Sequence, residues 1–352
     1  SRISAGGYTF TNPVLSVAKV GSLIYVAGAD GVTQVDALGN PTGTYYTPST
    51  GGTVYSIGYI EPYLYVGGDF TSLSDGVTPV TCNNVARIDI NTNTISALID
   101  SNTSDNGLNG IVRIVDVTAS PAFGGDFTAS GDTNAVTLKR FATWKDSTSY
   151  WNTGEAEINN GSVKAIKYYT DPIGGNQYYA IGGNFSDIAP TNDTCNGLFL
   201  FNLTGSTYDP VGGSLTSLDT GADVNTIVKS DVIDNLYAGG NFTSGSFTNC
   251  VSWASTTPAS FGDESFPDPV YSILPTSAGL LAGSGTNFVV NGTPYNSAPF
   301  SAPPTIVSME LIDGKVYMGT TTATPYLYIY NPSEKIIVSG TIISGAGVSL
   351  PT

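Results

Sequence analysis

The sequence predicts an all-β fold, a seven-bladed β-propeller whose blades are four-stranded antiparallel sheets. The main observation is an internal repeat, because the phrase Gly-Gly-(Asp/Asn)-Phe-(Thr/Ser) occurs four times, each time after an apolar run rich in Tyr, Val or Ala. Three weaker copies, at Gly28, Gly283 and Gly319, complete a series of seven with a mean spacing of about 48 residues. Repeats of roughly 40 to 50 residues with short strands are typical of propeller blades. We find no stretch with a helical period.

The residues of the repeat have structural roles in this interpretation. The full copies are Gly67, Gly68, Asp69 and Phe70; Gly124, Gly125, Asp126 and Phe127; Gly182, Gly183, Asn184 and Phe185; and Gly239, Gly240, Asn241 and Phe242. Paired glycines let the backbone bulge or let a neighbouring blade approach closely. The Asp or Asn bonds to nearby backbone, and we expect the Phe to be buried between blades. A glycine-rich phosphate cradle would need a following helix and usually a Lys, and the sequence offers neither.

The strands follow from apolar alternation bounded by Gly, Asn, Asp and Pro. In the clearest unit we expect strands at 53–60, 63–70, 83–90 and 95–99, with a polar loop before the third. Third strands recur at 138–144, 197–202, 251–253 and 326–330, the last continuing as a hairpin into 335–338. The innermost strands are predicted near 14–19, 54–60, 111–117, 163–169, 224–230, 270–274 and 306–311.

These strands place the whole chain, residues 1–352, in one domain. The predicted blades are 11–50, 51–105, 106–158, 159–218, 219–264, 265–302 and 303–352. A propeller with an open seam would expose unpaired strand edges. We therefore expect residues 1–10 or 341–352 to pair with the blade formed by the other end, unless residues 1–10 are only a linker.

Composition and charge restrict the classes of partner that we expect the chain to bind. Only 11% of residues are charged, against about 25% in an average soluble domain. The balance of 12 basic and 28 acidic residues makes nucleic acid an improbable partner, because nucleic-acid affinity depends on Lys and Arg. The one basic cluster, Lys139 and Arg140 with Lys145, is interpreted as an exposed strand and turn. No apolar run approaches the roughly 20 residues that span a bilayer, so we expect no membrane insertion. The chain begins with Ser1 and no signal peptide is evident, which suggests a processed product or a piece of a longer protein or assembly.

The cysteines and the missing histidines bear on cofactors. Cys82, Cys195 and Cys250 each precede a predicted third strand, which would make them equivalent positions in different blades, too far apart for a disulfide. We expect them to be free and buried, with one available for an intermolecular bond as the alternative. No metal-ligand spacing occurs and the chain has no His, so we expect no metal or cofactor.

Sequons mark candidate glycosylation sites, relevant only if the chain passes through a glycosylating compartment. The candidates are Asn102, Asn160, Asn192, Asn202 and Asn291. Two further sequons, at Asn184 and Asn241, lie inside the repeat, where we expect burial to exclude a sugar.

The repeat also carries a resemblance. Tyr-x-Gly-Gly-Asp-Phe-Thr at 65–71, followed by Asn-Asn-Val-Ala-Arg-Ile-Asp at 83–89, resembles repeats of extracellular propellers of the Rax2 or cortical-marker type. It is also similar to kelch-like repeats of bacterial and large-virus surface proteins. The resemblance is strong over 53–100 and weaker towards both ends. It implies a surface-exposed scaffold or adhesion module and brings no catalytic residues.

Enzymatic interpretations find little support. Without His the chain lacks the usual general base of nucleophilic triads. Carboxylate pairs could serve a glycosidase, and the densest clusters are Glu155 with Glu157, and Asp263 and Glu264 with Asp268. We interpret each as a solvated loop. The same oxygens could bind Ca²⁺, but the run at 89–93 lacks the Gly and the distal Glu of a calcium loop and fits a hairpin turn.

The sequence therefore predicts a non-enzymatic structural or recognition module on a cell or virus-particle surface. Its partners would be other proteins or glycans, contacted through the inter-blade loops and their aromatic residues, with Tyr150 and Trp151 as a candidate patch. The alternative is a glycan-binding lectin or a glycan-directed enzyme that uses the loop carboxylates.

Overall fold

The computed structural model is all-β, with antiparallel sheets throughout and no helix among the residues it describes. The described residues are 10–153, 155–189, 193–230, 233–255, 257–262, 265–276, 279–285, 288–290, 293–294, 305–321, 326–330, 337–338 and 341–342. Seven sheets, I to VII, follow one another along the chain, and each begins with one of the predicted innermost strands.

Sheets I and II are joined by an additional hairpin. Sheet I has β1 (Val14–Val20), β2 (Leu23–Gly28), β3 (Gly31–Val35) and β4 (Pro41–Pro48). Sheet II has β5 (Thr53–Ile60) and β6 (Tyr63–Asp69), then the hairpin β7 (Ser72–Ser74) and β8 (Pro79–Thr81), then β9 (Val85–Asp89) and β10 (Thr94–Ala97). The order in sheet II is β10-β9-β6-β5, while the hairpin pairs through β7 with the end of β4.

Sheets III and IV repeat this plan. Sheet III has β11 (Val112–Asp116), β12 (Ala122–Gly125), β13 (Phe141–Lys145) and β14 (Tyr150–Trp151), and β15 (Glu157–Ile158) follows. Sheet IV has β16 (Val163–Thr170), β17 (Gln177–Gly183), the hairpin β18 (Asp187–Ala189) and β19 (Asp193–Thr194), then β20 (Leu198–Asn202) and β21 (Thr207–Asp209). Here too the hairpin pairs with the segment before the sheet, because β18 lies beside β15. The sequence had predicted only a polar loop at these hairpins.

Sheets V to VII complete the series. Sheet V has β22 (Asp223–Lys229), β23 (Asn235–Ser244), β24 (Phe247–Ala254) and β25 (Thr257–Gly262). Sheet VI has β26 (Val270–Thr276), β27 (Gly279–Ser284), β28 (Phe288–Val290) and β29 (Thr293–Pro294). Sheet VII has β30 (Ile306–Ile312), β31 (Lys315–Thr320) and β32 (Leu327–Tyr330), and a separate pair, β33 (Ile337–Val338) with β34 (Thr341–Ile342), follows. The predicted hairpin partner of β32 at 335–338 therefore pairs with β34 instead.

All seven predicted innermost strands are present, each with ends within two residues of the predicted ones. They also contact one another in a cyclic order: β1 lies against β5, β5 against β11, and so on through β16, β22, β26 and β30, which returns to β1. Each sheet thus contacts the sheet before it and the sheet after it along its first strand.

The two glycines of the repeat each leave room for a different neighbouring group. A Cβ on Gly182 would lie 2.6 Å from Cγ1 of Val224, at the start of the next sheet, and the first glycine of the other full copies meets the corresponding Val. A Cβ on Gly183 would instead collide with the carbonyl oxygen of Ser162 in its own sheet. That carbonyl directly precedes Val163, which pairs with Gly183, and the β-bulge of the first strand follows at Lys164.

This pairing corrects one alignment from the sequence. Gly28 pairs with Val14, as Gly68 pairs with Val54, so Gly28 occupies the second glycine position and Ala27 occupies the first. Cys250 also leaves its predicted set: it pairs with Gly239, as Val85 pairs with Gly67. It therefore lies within its strand, whereas Cys82 and Cys195 precede theirs. All three cysteines are buried, and none of the three forms a disulfide.

Seven apolar clusters fill the spaces between consecutive sheets. Phe70 lies in the cluster between sheets I and II, Phe127 between II and III, Phe185 between III and IV, and Phe242 between IV and V. Each of the four is at most 5% exposed. Two further clusters join sheets V with VI and VI with VII.

The seventh cluster joins the two ends of the chain. Phe10 and the first strands of sheet I pack against Ile312, Tyr317 and Leu327 of sheet VII. The Tyr317 hydroxyl donates a 3.0 Å hydrogen bond to the carbonyl of Ala37. The expected closure by a terminal strand concerned residues 1–10 or 341–352, of which 1–9 and 343–352 lie outside the described residues. In the described part, Phe10 belongs to no strand, and β34 pairs with β33 rather than with sheet I. What the described residues contribute across this seam is side-chain packing.

We predict that Phe127→Ala lowers the free energy of unfolding by about 3–5 kcal/mol, because it empties a fully buried site between two sheets. The control is Asp69→Ala in the same motif, which removes an exposed side chain and is expected to cost about 1 kcal/mol or less. Chemical denaturation of both variants measures the difference. Equal losses would contradict the inter-sheet role of the Phe.

We predict that Gly182→Ala costs about 1–3 kcal/mol, because the added methyl group forces Val224 and the next sheet outward. Gly205→Ala is the matched control, since a Cβ there would meet its nearest atom at 3.5 Å. Thermal melting of the two variants compares them, and a Gly182→Ala melt as high as that of the control would refute the close approach.

Candidate functional site

A cavity of about 220 Å³ lies among the first strands of all seven sheets. The first strand of each sheet contains a β-bulge, where the register of its pairing with the second strand shifts. A single residue of the first strand occupies this bulge. These bulge residues all line the cavity: Leu15, Tyr55, Arg113, Lys164, Asn225, Tyr271 and Val307. The repeat thus presents one side chain from each sheet to a common space.

Comparison among the seven copies separates the frame from the bulge residues. The residue before the bulge is Val in six copies and Ile in the seventh, and it is at most 2% exposed in all of them: Val14, Val54, Val112, Val163, Val224, Val270 and Ile306. The bulge residue itself is half-buried and ranges from Leu to Arg. Packing therefore restricts the first position and leaves the second free to vary.

The bulge residues divide the cavity wall into two arcs. Five consecutive sheets, II to VI, contribute Tyr55, Arg113, Lys164, Asn225 and Tyr271. The two remaining sheets, VII and I, are neighbours across the seam and contribute Val307 and Leu15. One side of the cavity is polar and aromatic, and the other is aliphatic.

Both cations of the polar arc are paired with carboxylates. Arg113 donates from Nε to Oδ1 of Asp126 at 3.0 Å and from Nη2 to Oδ2 at 2.6 Å, which raises the pKa of Arg113. Burial raises the pKa of Asp126, but the bonds from Arg113 outweigh it and lower the pKa overall. Lys164 Nζ lies 2.7 Å from Oδ2 of Asp223. The arc is therefore polar without a net charge.

Hydrogen bonds between sheets hold the first strands in place. The Oγ atoms of Ser16 and Ser56, each directly after a bulge, accept bonds from the backbone of the next sheet, at Ile57 and Val115. Asn225 Nδ2 donates to the carbonyl of Val270 at 3.1 Å. These bonds cross from sheet to sheet and position the cavity wall.

The paired carboxylates of the sequence proposal, Glu155 and Glu157, have different surroundings. Glu157 lies in β15 rather than in the expected loop, where it is partly exposed and lies 2.8 Å from Lys139. Glu155 is half-buried: Thr143 and Asn152 donate to Oε1 at 2.8 and 3.1 Å, and Oε2 is buried. Burial raises the pKa of Glu155 to about 6 against those bonds. The chain segment that contains Glu155 packs against β13, and the hydrophobic periodicity of the sequence does not predict this contact.

The second acidic cluster is only partly described. Asp268 is half-buried, and Asp263 and Glu264 lie outside the described residues. The run at 89–93 forms a hairpin turn, in which Oδ1 of Asp89 accepts bonds from the backbone of Asn91 and Thr92. In the part of the chain that the structure describes, no three His, Cys, Asp or Glu side chains are grouped as metal ligands would be.

The predicted aromatic contact patch is wrong for Trp151. Trp151 is 2% exposed and packs edge-on against Trp144 at 4.9 Å and Phe123 at 5.6 Å. The reason is that β14 pairs with β13 and turns Trp151 into the cluster between sheets II and III. Tyr150, on the other face, is half-buried and bonds to Lys145 Nζ at 3.0 Å.

The rest of the basic cluster is structural. Arg140 adopts a positive φ just before β13 and donates to the carbonyls of Ile158 and Gly161, both at 2.8 Å. Asn84 and Asn249 hold the same backbone position in their sheets and also donate to a following segment.

Two buried carboxylates escaped the sequence analysis. Asp105 accepts bonds from Ser130, from the backbone and hydroxyl of Thr133, and from the backbone of Ala135. Burial raises the pKa of Asp105, but these bonds outweigh it and lower the pKa to about 2. Asp100 binds the backbone of Trp151 at 3.0 Å. Asp100 and Asp105 both position the loops of sheet III. The only sequence signal for this role is the high density of Asp, Asn, Ser and Thr in those loops.

The sequons have varied surroundings. Asn102 is exposed. Asn160 and Asn202 are held by side-chain bonds, Asn160 to Ser186 at 2.9 Å and Asn202 to the backbone of Thr204 at 2.9 Å. Asn192 and Asn291 lie outside the described residues.

The repeat sequons contradict the prediction that burial excludes them. Asn184 and Asn241 are exposed, and each lies between a buried Gly and a buried Phe, as expected where burial alternates along an extended chain. Asn184 is nevertheless engaged, since its Oδ1 accepts a 2.8 Å bond from the backbone of Ser162.

Comparison with known proteins supports the fold alone. No protein-family model and no curated protein match the sequence. Among solved structures, the extracellular domain of a putative one-component system from B. thetaiotaomicron is similar over 94% of this chain, with a TM-score of 0.61 and 14% identity. This chain spans 39% of the length of that one. The computationally designed Ika8 protein is similar over 92% of this chain and 97% of its own, with a TM-score of 0.52 and 9% identity.

The described residues contain no helix long and apolar enough to cross a membrane.

Glu155 generates a pH prediction. Its folded pKa of about 6 lies above the ordinary value of 4.5, so between these values the folded state binds more protons than the unfolded one. This contribution to stability is complete below pH 4.5 and is lost as the pH rises through 6. Glu155→Gln should remove it and become more stable relative to the wild type by up to about 2 kcal/mol at pH 7.

Urea denaturation at pH 4.5 and pH 7 measures this change. Glu157→Gln is the control, because that side chain is 38% exposed and its loss should change the difference from the wild type little. Parallel stability curves for Glu155→Gln and the wild type would show that burial does not destabilise the charged form of Glu155.

Proposed function

We propose that the seven sheets are the blades of a single β-propeller and that the cavity is its central channel. The cyclic order of the first strands supports this, as do the seven inter-sheet clusters, the last of which joins sheet VII to sheet I. A propeller also accounts for the size of the chain, because each blade packs only against its neighbours. An experimental map with six or eight blades would contradict the proposal.

We propose further that the protein is a non-enzymatic recognition module at an extracellular, cell or virus-particle surface. The observation that carries this proposal is the contrast at the bulge: a nearly invariant apolar frame presents seven side chains of six residue types to one cavity. A rigid scaffold that varies only the presented residues is the arrangement of binding proteins, in which the frame is kept and the contact residues change. The partner is a protein or a glycan.

Surface exposure has separate support. Polarity in this chain comes from Ser, Thr, Asn and Gly rather than from charge, a composition more frequent in secreted and particle-surface proteins. One structural neighbour is itself an extracellular domain, although at 14% identity it shares only the fold.

A glycan-directed enzyme is the second candidate, and Glu155 is the observation that favours it. A carboxyl group with a pKa near 6 has the property of a general acid. Its position argues against this role, because Glu155 is not among the residues that line the cavity and Oε2 is shielded from solvent. A substrate bound in the cavity would not meet it.

A combined binding and turnover assay tests the proposal. Purified protein is applied to glycan and surface-protein arrays and to a panel of glycosidase substrates, with Glu155→Gln and the matched Glu157→Gln alongside. We expect binding without turnover, equal for all three proteins. Turnover that disappears in Glu155→Gln and persists in Glu157→Gln would replace the recognition module with an enzyme.

A further inference from the structure

We propose that the central cavity binds a single neutral sugar residue, such as the terminal hexose of a glycan. The proposal rests on the recognition function above and names its ligand class. It goes beyond the fold because the apolar residue before each bulge forms the frame, whereas the residue type at the bulge itself varies from sheet to sheet. Size, hydrogen-bonding capacity, apolar surface and charge each restrict the ligand.

Size is the first restriction. Pockets for drug-sized ligands have volumes of roughly 300–1,000 Å³. The cavity, at about 220 Å³, is smaller, so it admits one sugar ring but not a peptide or a nucleotide. A longer glycan would have to enter with its end.

Hydrogen-bonding capacity is the second restriction. Lys164 Nζ has three donors, and one is directed at Asp223. Asn225 donates a hydrogen bond from Nδ2 to the carbonyl of Val270, and the Oδ1 atom of the same side chain can accept one. Tyr55 and Tyr271 add hydroxyl groups that both donate and accept. Donors and acceptors on one wall suit hydroxyl groups, because each hydroxyl also does both.

Apolar surface is the third restriction. The rings of Tyr55 and Tyr271 belong to sheets II and VI, on either side of the aliphatic arc formed by Leu15 and Val307. A sugar ring has such a division itself, with C–H groups on one face and hydroxyl groups around its edge. Aromatic side chains with a polar tip fit this amphipathic shape.

Charge decides between neutral and anionic sugars. Each cation of the cavity already has a carboxylate partner, Arg113 with Asp126 and Lys164 with Asp223. An anionic ligand would compete with both carboxylates and would approach a chain with a formal net charge of −16. A neutral polyol can bond to the free donors without separating either pair.

The experiment is a titration of the intact protein, by calorimetry and by saturation-transfer NMR. The probes are methyl glycosides of glucose, galactose, mannose and fucose, with glucuronic acid and sialic acid as anionic probes. At least one neutral glycoside should bind with a Kd of about 1 mM or tighter. Saturation should pass from aromatic protons to the sugar.

Variants locate the site. Tyr271→Ala and Tyr55→Ala should each weaken binding about tenfold or more, while Tyr45→Ala, an exposed tyrosine 52% accessible on β4, should not. Melting temperatures of the variants check that each is folded. If one cavity variant fails to fold, the other answers the question, because the two tyrosines belong to different sheets.

The outcomes distinguish this inference from the recognition function. Binding of a neutral sugar that is lost in the cavity variants supports both. Binding of anionic sugars alone, or of neutral sugars equally by all variants, overturns the neutral-sugar cavity. Array binding of a protein or glycan without any monosaccharide binding overturns the inference and leaves the recognition function standing.

Discussion

The rest of the structure depends on one contact. In it, the first glycine of the repeat closely approaches the apolar residue that precedes the bulge in the next sheet. A Cβ on Gly182 or Gly239 would lie within 2.6 Å of the Val that opens the following first strand. A Cβ does not fit at these two positions, so a residue without a side chain lets the consecutive sheets meet at that distance. Sheet I has Ala27 at the corresponding position. The same contact recurs at Gly319, which receives Val14 of sheet I and brings the end of the series back to its beginning. Packing between sheets, rather than a single large core, therefore stabilises the molecule.

That packing also creates the cavity. Each first strand carries a bulge directly after the Val that fits the glycine, so the bulge residue is displaced from the inter-sheet core. The second glycine of the repeat makes room for the carbonyl that precedes the Val of its own sheet. One repeated motif thus accounts both for the buried frame and for the seven side chains presented to a common space. A buried frame with variable presented residues is what allows us to propose recognition, and the pairing of Arg113 and Lys164 is what directs the proposal to a neutral ligand.

The particular residues show where sequence reasoning succeeded and where it did not. The seven first strands could be predicted, because alternation and turn residues are local signals. Burial of Phe70, Phe127, Phe185 and Phe242 follows from the same pattern. Trp151 and Glu155 could not be placed, because a two-residue edge strand and an irregular segment carry no periodicity, and tertiary contacts with β13 and Thr143 decide their burial. Asn184 and Asn241 were expected to be buried but are exposed, since burial alternates between the Gly, the Asn and the Phe of the motif.

By itself, the sequence determined the all-β class, the seven repeats and the positions of their first strands. Each of these depends on spacing and on residue type within a few positions, and both can be read along the chain. Only the tertiary structure decided that Arg113, Lys164, Asn225 and the two tyrosines face one cavity, because they are about 40 to 60 residues apart and share only a bulge position. A bulge is a feature of how the first and second strands of a sheet pair, and this pairing leaves no mark at any single position in the sequence.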